Sequence, residues 1–240
     1  MSTKSYIKGV RGNDGTYLIQ SGGKDYSFPS VTTILSKIHD ESLDDLKEKF
    51  GDEEFQRITE AAANRGSVMH GFLENYAIAV KKCKDPEKAL LYTQTKTPTQ
   101  FTETEQPVFE KGRNMFYNIF HSEFTEEMKE PVMIEGLMVH FGYKYAGRTD
   151  IIYLDHEDNL ILGDYKSSSR MLQPHENKVQ KCLLQLSAYW CAFEHMYDKK
   201  IKEAVAWYSH PDGMQKFVLT KYMYPIYKTY FLKLLEENFN

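Results

Sequence analysis

Cysteine is scarce in this sequence of 240 residues, and long apolar runs are absent. The cysteines, Cys83, Cys182 and Cys191, stand at unrelated spacings, which excludes a CxxC pair, a disulfide framework and an iron–sulfur ligand set. We expect all of them to be buried free thiols. No stretch approaches the roughly 20 apolar residues of a membrane helix. The first residues, MSTKSYIKGVRGNDG, lack both a signal core and an Arg-rich targeting pattern. The sequence therefore predicts a soluble intracellular protein without a membrane partner.

An excess of basic residues is also missing, since 30 Lys and Arg face 34 Asp and Glu for a net charge of -4. Proteins that bind nucleic acids are more often basic, so the charge argues mildly against that class. A bound divalent cation, however, adds positive charge that composition does not count. The acidic residues are also unevenly spread, because DESLDDLKEKFGDEE at 40–54 is dominated by carboxylates. We expect that run to be a solvated, mobile surface segment.

The length fits about one large domain, and the 41% hydrophobic content can fill its core. Periodicity and turn signals give a consistent order of elements along the chain. We predict hairpins over 5–28, a short Ser30-capped helix at VTTIL, a long helix over 56–82, a loop with one helical turn over 84–104, a helix over 105–121, three strands between 131 and 168, a helix over 174–197, a strand pair over 203–220 and a C-terminal helix. The central order, helix, three strands, helix and strand, predicts an α/β fold with helices covering a sheet.

Three charged residues stand at the ends of two apolar segments. GRTDIIYL places Asp150 at the start of one predicted strand, and LILGDYKSS places Asp164 and Lys166 at the end of the next. Residues two apart on a strand share a face, so Asp164 and Lys166 project together, and a tight hairpin of suitable register brings Asp150 beside them. Two carboxylates and a lysine are costly to gather there unless a hard cation such as Mg²⁺ or Mn²⁺ compensates. The alternative is a surface ion pair with Asp150 as a turn residue.

These residues form part of an ordered set of motifs. GRTDIIYL, LILGDYKSSS and QLSAY resemble the second and third motifs and the Q-x-x-x-Y helix motif of RecB-like nucleases in the PD-(D/E)XK superfamily, and RGSVMHGFLENY resembles the first motif. FPSVTTIL and the layout are similar to mitochondrial genome-maintenance exonucleases and their phage relatives. Cas4-like, AddB-like and Dna2-like members carry a four-cysteine iron–sulfur cluster, for which this chain has too few cysteines, so no such cluster is expected.

The resemblance covers roughly residues 25–220 and implies a fold. It implies a single nuclease domain over 1–240 with a restriction-endonuclease-like core at about 56–82 and 131–220. That core is a mixed β-sheet flanked by helices in the order α-β-β-β-α-β, with an N-terminal hairpin and helical elaborations. The long segment 84–121 is then an insertion near the site, and we expect it to form a wall or arch that admits one strand and excludes a duplex.

The resemblance also implies a site for Mg²⁺ or Mn²⁺. Its ligands are expected to be His70, Glu135, Asp150, Asp164 and the backbone carbonyl of Tyr165. Two of these have a plain structural alternative, since a lone helix histidine is usually not a ligand and Glu135 can lie on an exposed strand face. Glu74, one turn after His70, either holds the imidazole or is a solvated helix residue.

Other residues are expected to act on the substrate. Lys166 assists the attacking water or stabilises the phosphorane, and Gln185 and Tyr189, one helical turn apart, position Lys166 or bind phosphates beside the cleaved bond. Their alternative is a place at the edge of the core. Basic residues outnumber acidic ones between 164 and 181, which suits a phosphate track. We predict nucleic-acid contacts from Arg65, Ser167, Ser168, Arg170, Lys178 and Lys181.

The function implied is metal-dependent hydrolysis of phosphodiester bonds in DNA. By resemblance, the substrate is single-stranded DNA processed from an end during repair, recombination or replication, with proteins of replication or recombination as partners. The location is the cytoplasm, or the cytoplasm of a phage-infected host. Three alternatives stay open: a structure-specific endonuclease of the same superfamily, a nuclease directed at RNA, and a non-catalytic nucleic-acid-binding scaffold that has kept the fold.

Overall fold

The computed structural model describes residues 7–96, 102 and 105–239, without the side chains of residues 41 and 42. Eight strands and seven helices lie within these ranges. In chain order they are β1 (Lys8–Arg11), β2 (Thr16–Ser21), β3 (Lys24–Pro29), α1 (Val31–Leu35), α2 (Glu41–Cys83), α3 (Pro86–Thr95), α4 (Glu105–Phe120), α5 (Glu123–Glu127), β4 (Glu130–His140), β5 (Tyr145–Leu154), β6 (Leu160–Ser167), α6 (Asn177–Tyr197), β7 (Ile201–His210), β8 (Gly213–Thr220) and α7 (Tyr224–Phe239).

The central sheet has five strands in the order β4-β5-β6-β7-β8. Its β4–β5, β5–β6 and β7–β8 pairs are antiparallel, whereas β6 and β7 are parallel. A parallel pair needs a long crossover, and α6 supplies it. The predicted mixed sheet flanked by helices, in the order α-β-β-β-α-β, is confirmed by α2, β4, β5, β6, α6 and β7.

Alternate residues of the central strands face two different cores, as the two-residue period of a strand requires. Ile152 and Leu162 point to the face covered by α1, α6 and α7. Ile151 and Trp207 point to the opposite face, covered by α2, α3, α4 and α5. The sheet is thus buried on both sides, and Asp164, two residues after Leu162, lies on the α6 side.

The first three strands form a separate antiparallel sheet, which confirms the predicted hairpins within the described residues. Its residues Ile19 and Phe28 are buried in a small core with Ala146 of β5. Ser30 forms a parallel bridge with Ala146. The predicted cap is also present, because the Ser30 hydroxyl accepts a hydrogen bond from the backbone N–H of Thr33 at 3.0 Å. These contacts fix the N-terminal sheet against β5.

Two segments predicted to be irregular are helical. Helix α2 begins at Glu41, so the acidic run is helical and mostly exposed over 43–54, with an interruption at Gly51, where φ is 75° and ψ is 167°. The prediction overlooked that Glu, Lys and Leu are good helix formers. Helix α3 lies inside the predicted loop because Asp85 caps it, accepting from the N–H groups of Glu87 and Lys88 at 3.1 Å each, and Pro86 suits the first turn.

Other differences are smaller. The predicted helix over 174–197 begins at Asn177, after Pro174. The short α5 was not predicted; its cap is Ser122, whose hydroxyl accepts from the N–H of Phe124 at 3.3 Å. Cys182 and Cys191 are buried free thiols as expected, but Cys83 is exposed at the end of α2, so the prediction for that residue is wrong. Among the described residues, no helix combines the length and apolar character needed to cross a membrane.

The described part of the 84–121 segment packs as a core layer. A Cβ on Gly112 of α4 would lie 2.6 Å from Val68 of α2, so these two helices are in close contact. Phe116 of α4 stacks on Phe72 with ring centroids 5.2 Å apart. Residues 97–101, 103 and 104, between α3 and α4, lie outside the described part of the chain, and the arch over the site stays a prediction.

Candidate active site

Strands β5 and β6 separate at the predicted site. Ile151 and Gly163 form the last pair between them, so Asp150 and Asp164 are the first residues beyond it on either strand. From there β5 continues beside β4, and β6 continues beside β7. The backbone N–H of Tyr165 donates to Asp150 Oδ2 at 2.6 Å across the gap. We call this gap the fork, and it brings the three residues of the predicted constellation together.

Asp164 is the most buried charged residue of the fork, with 1% of its side chain exposed. Its carboxylate forms an ion pair with Lys166. It also accepts a hydrogen bond from Gln185 Nε2 at 3.1 Å, and Cys182 Sγ lies 3.8 Å away. Gln185 Nε2 also donates to the hydroxyl of Tyr189 at 3.1 Å. These contacts compensate the buried charge and hold Lys166 in place.

Helix α6 therefore supports the fork through the two residues predicted from its Q-x-x-x-Y spacing. Gln185 contacts Asp164 directly, and Tyr189 contacts Gln185. Neither forms a hydrogen bond with Lys166 in the described residues, so their effect on Lys166 passes through Asp164. Cys182, one turn earlier on the same helix, was not predicted, although its three-residue spacing from Gln185 is the signal that could have found it.

His70, Glu135 and Asp150 come from α2, β4 and β5 and meet beside the fork. One ligand atom of each lies within 4.8 Å of the other two. His70 Nδ1 lies 3.6 Å from Asp150 Oδ2. The pairs formed by their strand neighbours place Glu135 opposite Asp150 across β4 and β5. Two of the predicted carboxylate ligands and the predicted imidazole are thus in one cluster.

The charges in this cluster are poorly compensated. Burial, together with the charge of Asp164, raises the pKa of Asp150 well above its usual range. Burial, followed by the charge of Glu74, raises the pKa of Glu135. Burial and the positive charge of Lys166 lower the pKa of His70, which favours the neutral imidazole. Two carboxylates and a neutral imidazole are ligands that fit a divalent cation, and such a cation would offset the repulsion.

Asp164 is not part of that cluster, and the Tyr165 carbonyl is the remaining predicted ligand. The Asp164 carboxylate is engaged by Lys166, so its predicted role as a ligand requires it to share its oxygens between a cation and the lysine. The backbone of Tyr165 acts on His70 and opposes the lowering of its pKa, and the Tyr165 N–H donates to Asp150 Oδ2 at 2.6 Å, so the predicted backbone ligand is near the cluster. Both assignments stay predictions.

Glu135 has an unusual backbone for a strand residue, with φ at 49°. Left-handed backbone is uncommon for residues other than glycine, and such strain is found preferentially at functional sites. It lets a residue within β4 direct its carboxylate toward Asp150. Glu74 is exposed and forms no hydrogen bond with His70 among the described side chains, but its charge acts on Glu135.

A group of cations lies on one side of the fork. Burial and then the charges of Arg65, Lys166 and Arg170 lower the pKa of Lys178, so these four side chains are close enough to interact. Lys178 Nζ donates to the backbone carbonyl of Ser167 at 2.8 Å. A cavity of about 670 Å³ collects five of the six predicted nucleic-acid contacts, Arg65, Ser167, Ser168, Arg170 and Lys178. Asp45 and Glu176 also line this cavity, but Arg65, Arg170 and Lys178 outnumber them. A net positive charge of this kind suits a phosphate backbone.

The sixth predicted contact, Lys181, is not part of this group. Its Nζ pairs with Asp40 at 3.1 Å, and it lines another cavity beside Ile226 and Tyr227. Arg170 is present in the group, but its guanidinium forms two hydrogen bonds with the Glu176 carboxylate, at 2.6 and 2.9 Å. Arg65 keeps a donor for a ligand, because its buried Nε has no hydrogen-bond partner in the described residues.

Two arginines at the fork were not predicted. Arg148 Nη1 lies 4.0 Å from Glu135 Oε2, and Arg11 of β1 lines the same cavity as Glu135 and Gln185. Arg148 belongs to GRTD, so its two-residue spacing from Asp150 was an available signal. Nothing in the sequence connects Arg11 with a motif so far along the chain.

Comparison with known proteins gives a family. A sequence profile of the PD-(D/E)XK nuclease superfamily matches residues 41–236. Solved structures similar to this chain include SSO0001, at 16% identity and a TM-score of 0.36 over 69% of this chain and 72% of that one. Another, from Eubacterium rectale and provisionally named an exonuclease, is 12% identical with a TM-score of 0.43 over 72% of this chain and 64% of its own. No curated protein matches. From the profile match, which spans most of its length, the chain belongs to the PD-(D/E)XK nuclease superfamily.

Proposed function

We propose that this chain is a divalent-metal-dependent exonuclease that hydrolyses phosphodiester bonds of single-stranded DNA from an end. The observation that carries the proposal is the fork, where the His70, Glu135 and Asp150 cluster adjoins the Asp164–Lys166 ion pair. Carboxylates and an imidazole for a cation, next to a fixed ammonium group, are the parts that phosphodiester hydrolysis needs.

The cation of the proposal is Mg²⁺ or Mn²⁺, held by His70, Glu135 and Asp150, with Asp164 and the Tyr165 carbonyl as further ligands. When bound, it supplies Lewis-acid activation of the phosphate and of the attacking water. His70 offers its neutral form, since burial lowers the pKa of its imidazole. Imidazole is a better ligand for Mn²⁺ than for Mg²⁺, so activity with Mn²⁺ is expected to be at least as high.

Lys166 is proposed to stabilise negative charge on the reacting phosphate. Burial disfavours its charged form, but the Asp164 carboxylate outweighs burial and raises its pKa. The side chain is therefore an ammonium group at neutral pH, suited to donating hydrogen bonds rather than to removing a proton. Gln185 and Tyr189 keep the Asp164 carboxylate oriented, which in turn fixes the lysine.

The DNA strand is proposed to follow the cations beside the fork. Arg65 and Lys178 contact phosphates, and the hydroxyls of Ser167 and Ser168 donate further hydrogen bonds. These contacts carry no base information, which fits processing without sequence preference. The proposed role is in repair, recombination or replication, alongside proteins of those processes.

The test is incubation of end-labelled single-stranded DNA, duplex DNA and RNA of one sequence with Mg²⁺, with Mn²⁺ or with EDTA. We expect the single-stranded DNA to be shortened from an end with either metal, and EDTA to stop the reaction until metal is restored. Absence of cleavage of every substrate with both metals would reject the enzyme and favour a binding scaffold. Cleavage of RNA alone would keep the chemistry and correct the substrate.

A further inference from the structure

A second cavity lies at the fork, away from the Arg65 and Lys178 group. Its volume is about 400 Å³, and Glu135, Gln185 and Tyr189 line it on the side of the fork. Glu135 thus belongs both to this cavity and to the candidate metal cluster. Gly147 of β5 forms part of the wall, where a Cβ would lie 2.5 Å from the Tyr189 ring. A ligand in this cavity would therefore lie beside the candidate metal cluster.

The cavity is rich in donors for an anion. Arg11 and Arg148 line it, and Glu135 is the single acidic residue among its described lining. The hydroxyl groups of Ser30 and Thr32 also lie there and are bonded to each other at 2.9 Å. Arg11 donates one hydrogen bond, to Thr32 Oγ1 at 2.9 Å, and has no ion pair in the part of the chain that the structure describes. Its remaining N–H groups are free for a ligand.

The charge balance of the cavity depends on Glu135. Arg148 lies 4.0 Å from this carboxylate, and the same carboxylate is a ligand of the proposed cation. A cation bound there would compete with Arg148 for Glu135, whereas the charge of Arg11 has no ion-pair partner among the described residues with or without the cation. Arginine binds phosphate oxygens through two parallel hydrogen bonds, so a phosphate group is the anion best matched to this pair.

One wall of this cavity comes from outside the part of the chain that matches the family. The match begins at residue 41, whereas Arg11, Tyr17, Ser30 and Thr32 precede it. The N-terminal sheet is nevertheless fixed against β5 by the bridge between Ser30 and Ala146 and by their shared core. The sheet therefore adds a rigid wall to the nuclease site rather than a separate unit.

We infer that the cavity lined by Arg11 and Arg148 is a second phosphate-binding site for the substrate strand, on the side of the fork away from Arg65 and Lys178. This inference rests on the proposed function. Arg11 is a positioning residue: it holds a phosphate adjoining the one that is cleaved and so fixes which bond reaches the fork. The phosphate comes from within the strand or from a phosphorylated end, and the two sources are separated by experiment.

The experiment measures binding of fluorescent single-stranded DNA by anisotropy in EDTA, over a series of salt concentrations. Wild type is compared with Arg11→Ala, Arg11→Lys and Arg57→Ala. Arg57 is a matched control, because it is exposed on α2 and pairs with Glu54. Each strand is prepared with a 5′ phosphate, with a 3′ phosphate or with hydroxyls at both ends. Thermal unfolding establishes that every variant is folded.

We expect Arg11→Ala to bind about 10-fold more weakly at low salt, as for the loss of a charged hydrogen bond. The slope of log affinity against log salt should become shallower by about 0.7, the value for one lost contact to a single strand. Arg11→Lys should keep the slope and recover part of the affinity, whereas Arg57→Ala should match wild type. A loss confined to one phosphorylated end identifies a terminal phosphate, and an equal loss on all three strands identifies an internal one.

Slope and affinity that are the same for Arg11→Ala and Arg57→Ala would overturn the inference. Parallel cleavage assays with Mg²⁺ and Mn²⁺ separate this failure from that of the proposed function. Cleavage by wild type with an unchanged Arg11→Ala slope rejects the second site alone. Binding that depends on Arg11 without cleavage rejects the nuclease proposal and keeps the phosphate site. Absence of strand binding by wild type rejects both.

Discussion

Burial and the neighbouring charge shift the pKa of Lys166 in opposite directions. The side chain is partly buried beside Asp164, and that carboxylate raises its pKa more than burial lowers it. Asp164 in turn is oriented by Gln185 from α6. The lysine is thus held as a cation by a residue that the neighbouring helix fixes, and we attribute to it a role in stabilising the transition state.

Replacing Lys166 by Met keeps much of the side-chain volume and removes the charge. We expect kcat to fall by roughly 100-fold or more, the scale for loss of one positioned group that stabilises a transition state, with little change in strand binding. Single-turnover cleavage measures the effect, with Lys129→Met as a control on an exposed lysine paired with Asp158. An unchanged kcat in the folded Lys166→Met protein would mean that Lys166 forms only a structural ion pair.

The sequence was sufficient to predict which site residues lie side by side where their spacing within one strand or helix decides it. Asp164 and Lys166 share a strand, and Gln185 and Tyr189 share a helix face, so their contacts follow from the periods of strand and helix. Glu135 depends on a left-handed backbone that no local pattern signals. Arg11 depends on how a distant sheet packs. Such features arise only from tertiary structure.

The turn between β5 and β6 fixes the register that brings the two strands to the fork. Asp155 accepts hydrogen bonds from the N–H groups of Glu157 and Asn159 at 2.9 and 2.8 Å, and from Lys202 Nζ at 2.9 Å. Burial acts to raise the pKa of Asp155, but the hydrogen bonds from Asn159, Lys202 and Glu157 outweigh it and lower the pKa to about 2. The carboxylate therefore stabilises the folded state in its charged form.

Asp155→Asn is expected to lower the free energy of unfolding by about 1.5–3 kcal/mol near neutral pH, the range for a hydrogen bond to a charged group. Because the folded pKa lies below the ordinary value of 3.8, this contribution is present above about pH 4 and is lost as the pH falls toward 2. Urea unfolding from about pH 6 to about pH 3 should show the difference from wild type shrinking. Asp158→Asn, on an exposed residue of the same turn, is the control. A difference that does not change with pH would contradict the pKa argument.

Helices and strands were predicted well where apolar residues recur at the spacing of that element. They were predicted poorly where only capping residues mark the element. The strands of the central sheet and most of the long helix carried such a spacing. Helix α3 was missed because its threonines suggested a loop, although Asp85 and Pro86 marked its start. The acidic start of α2 has little apolar content, so only the helix propensity of its residues pointed to its structure.

At the scale of the whole molecule, the net charge of -4 gives a misleading picture of this surface. Arg65 and Lys178 gather on one side of the fork, and Arg11 and Arg148 line the cavity on the other. The acidic start of α2 is mostly exposed over 43–54, although its Asp45 lines the cavity that holds Arg65 and Lys178. Composition counts charges but does not place them, which is why it argued against a nucleic-acid partner.

In the proposed function, one DNA strand follows the two groups of cations across the fork, and the predicted arch at 84–121 would close this path from outside. We therefore expect linear single-stranded DNA to be degraded, and a circle of the same sequence and a blunt duplex to resist. Gel analysis of the three substrates under identical metal conditions checks this. Rapid cleavage of the circle would mean that the site is open from the side and that the enzyme is an endonuclease.

The most direct test of the account compares Asp150→Asn with Asp158→Asn in the cleavage of single-stranded DNA with Mn²⁺. Asp150 lies in the candidate metal cluster, whereas Asp158 is an exposed residue of the next turn, so the two variants make the same chemical change at different places. We expect Asp158→Asn to cleave like wild type and folded Asp150→Asn to show no cleavage above an EDTA blank. Cleavage by Asp150→Asn at the wild-type rate would contradict the assignment of the active site.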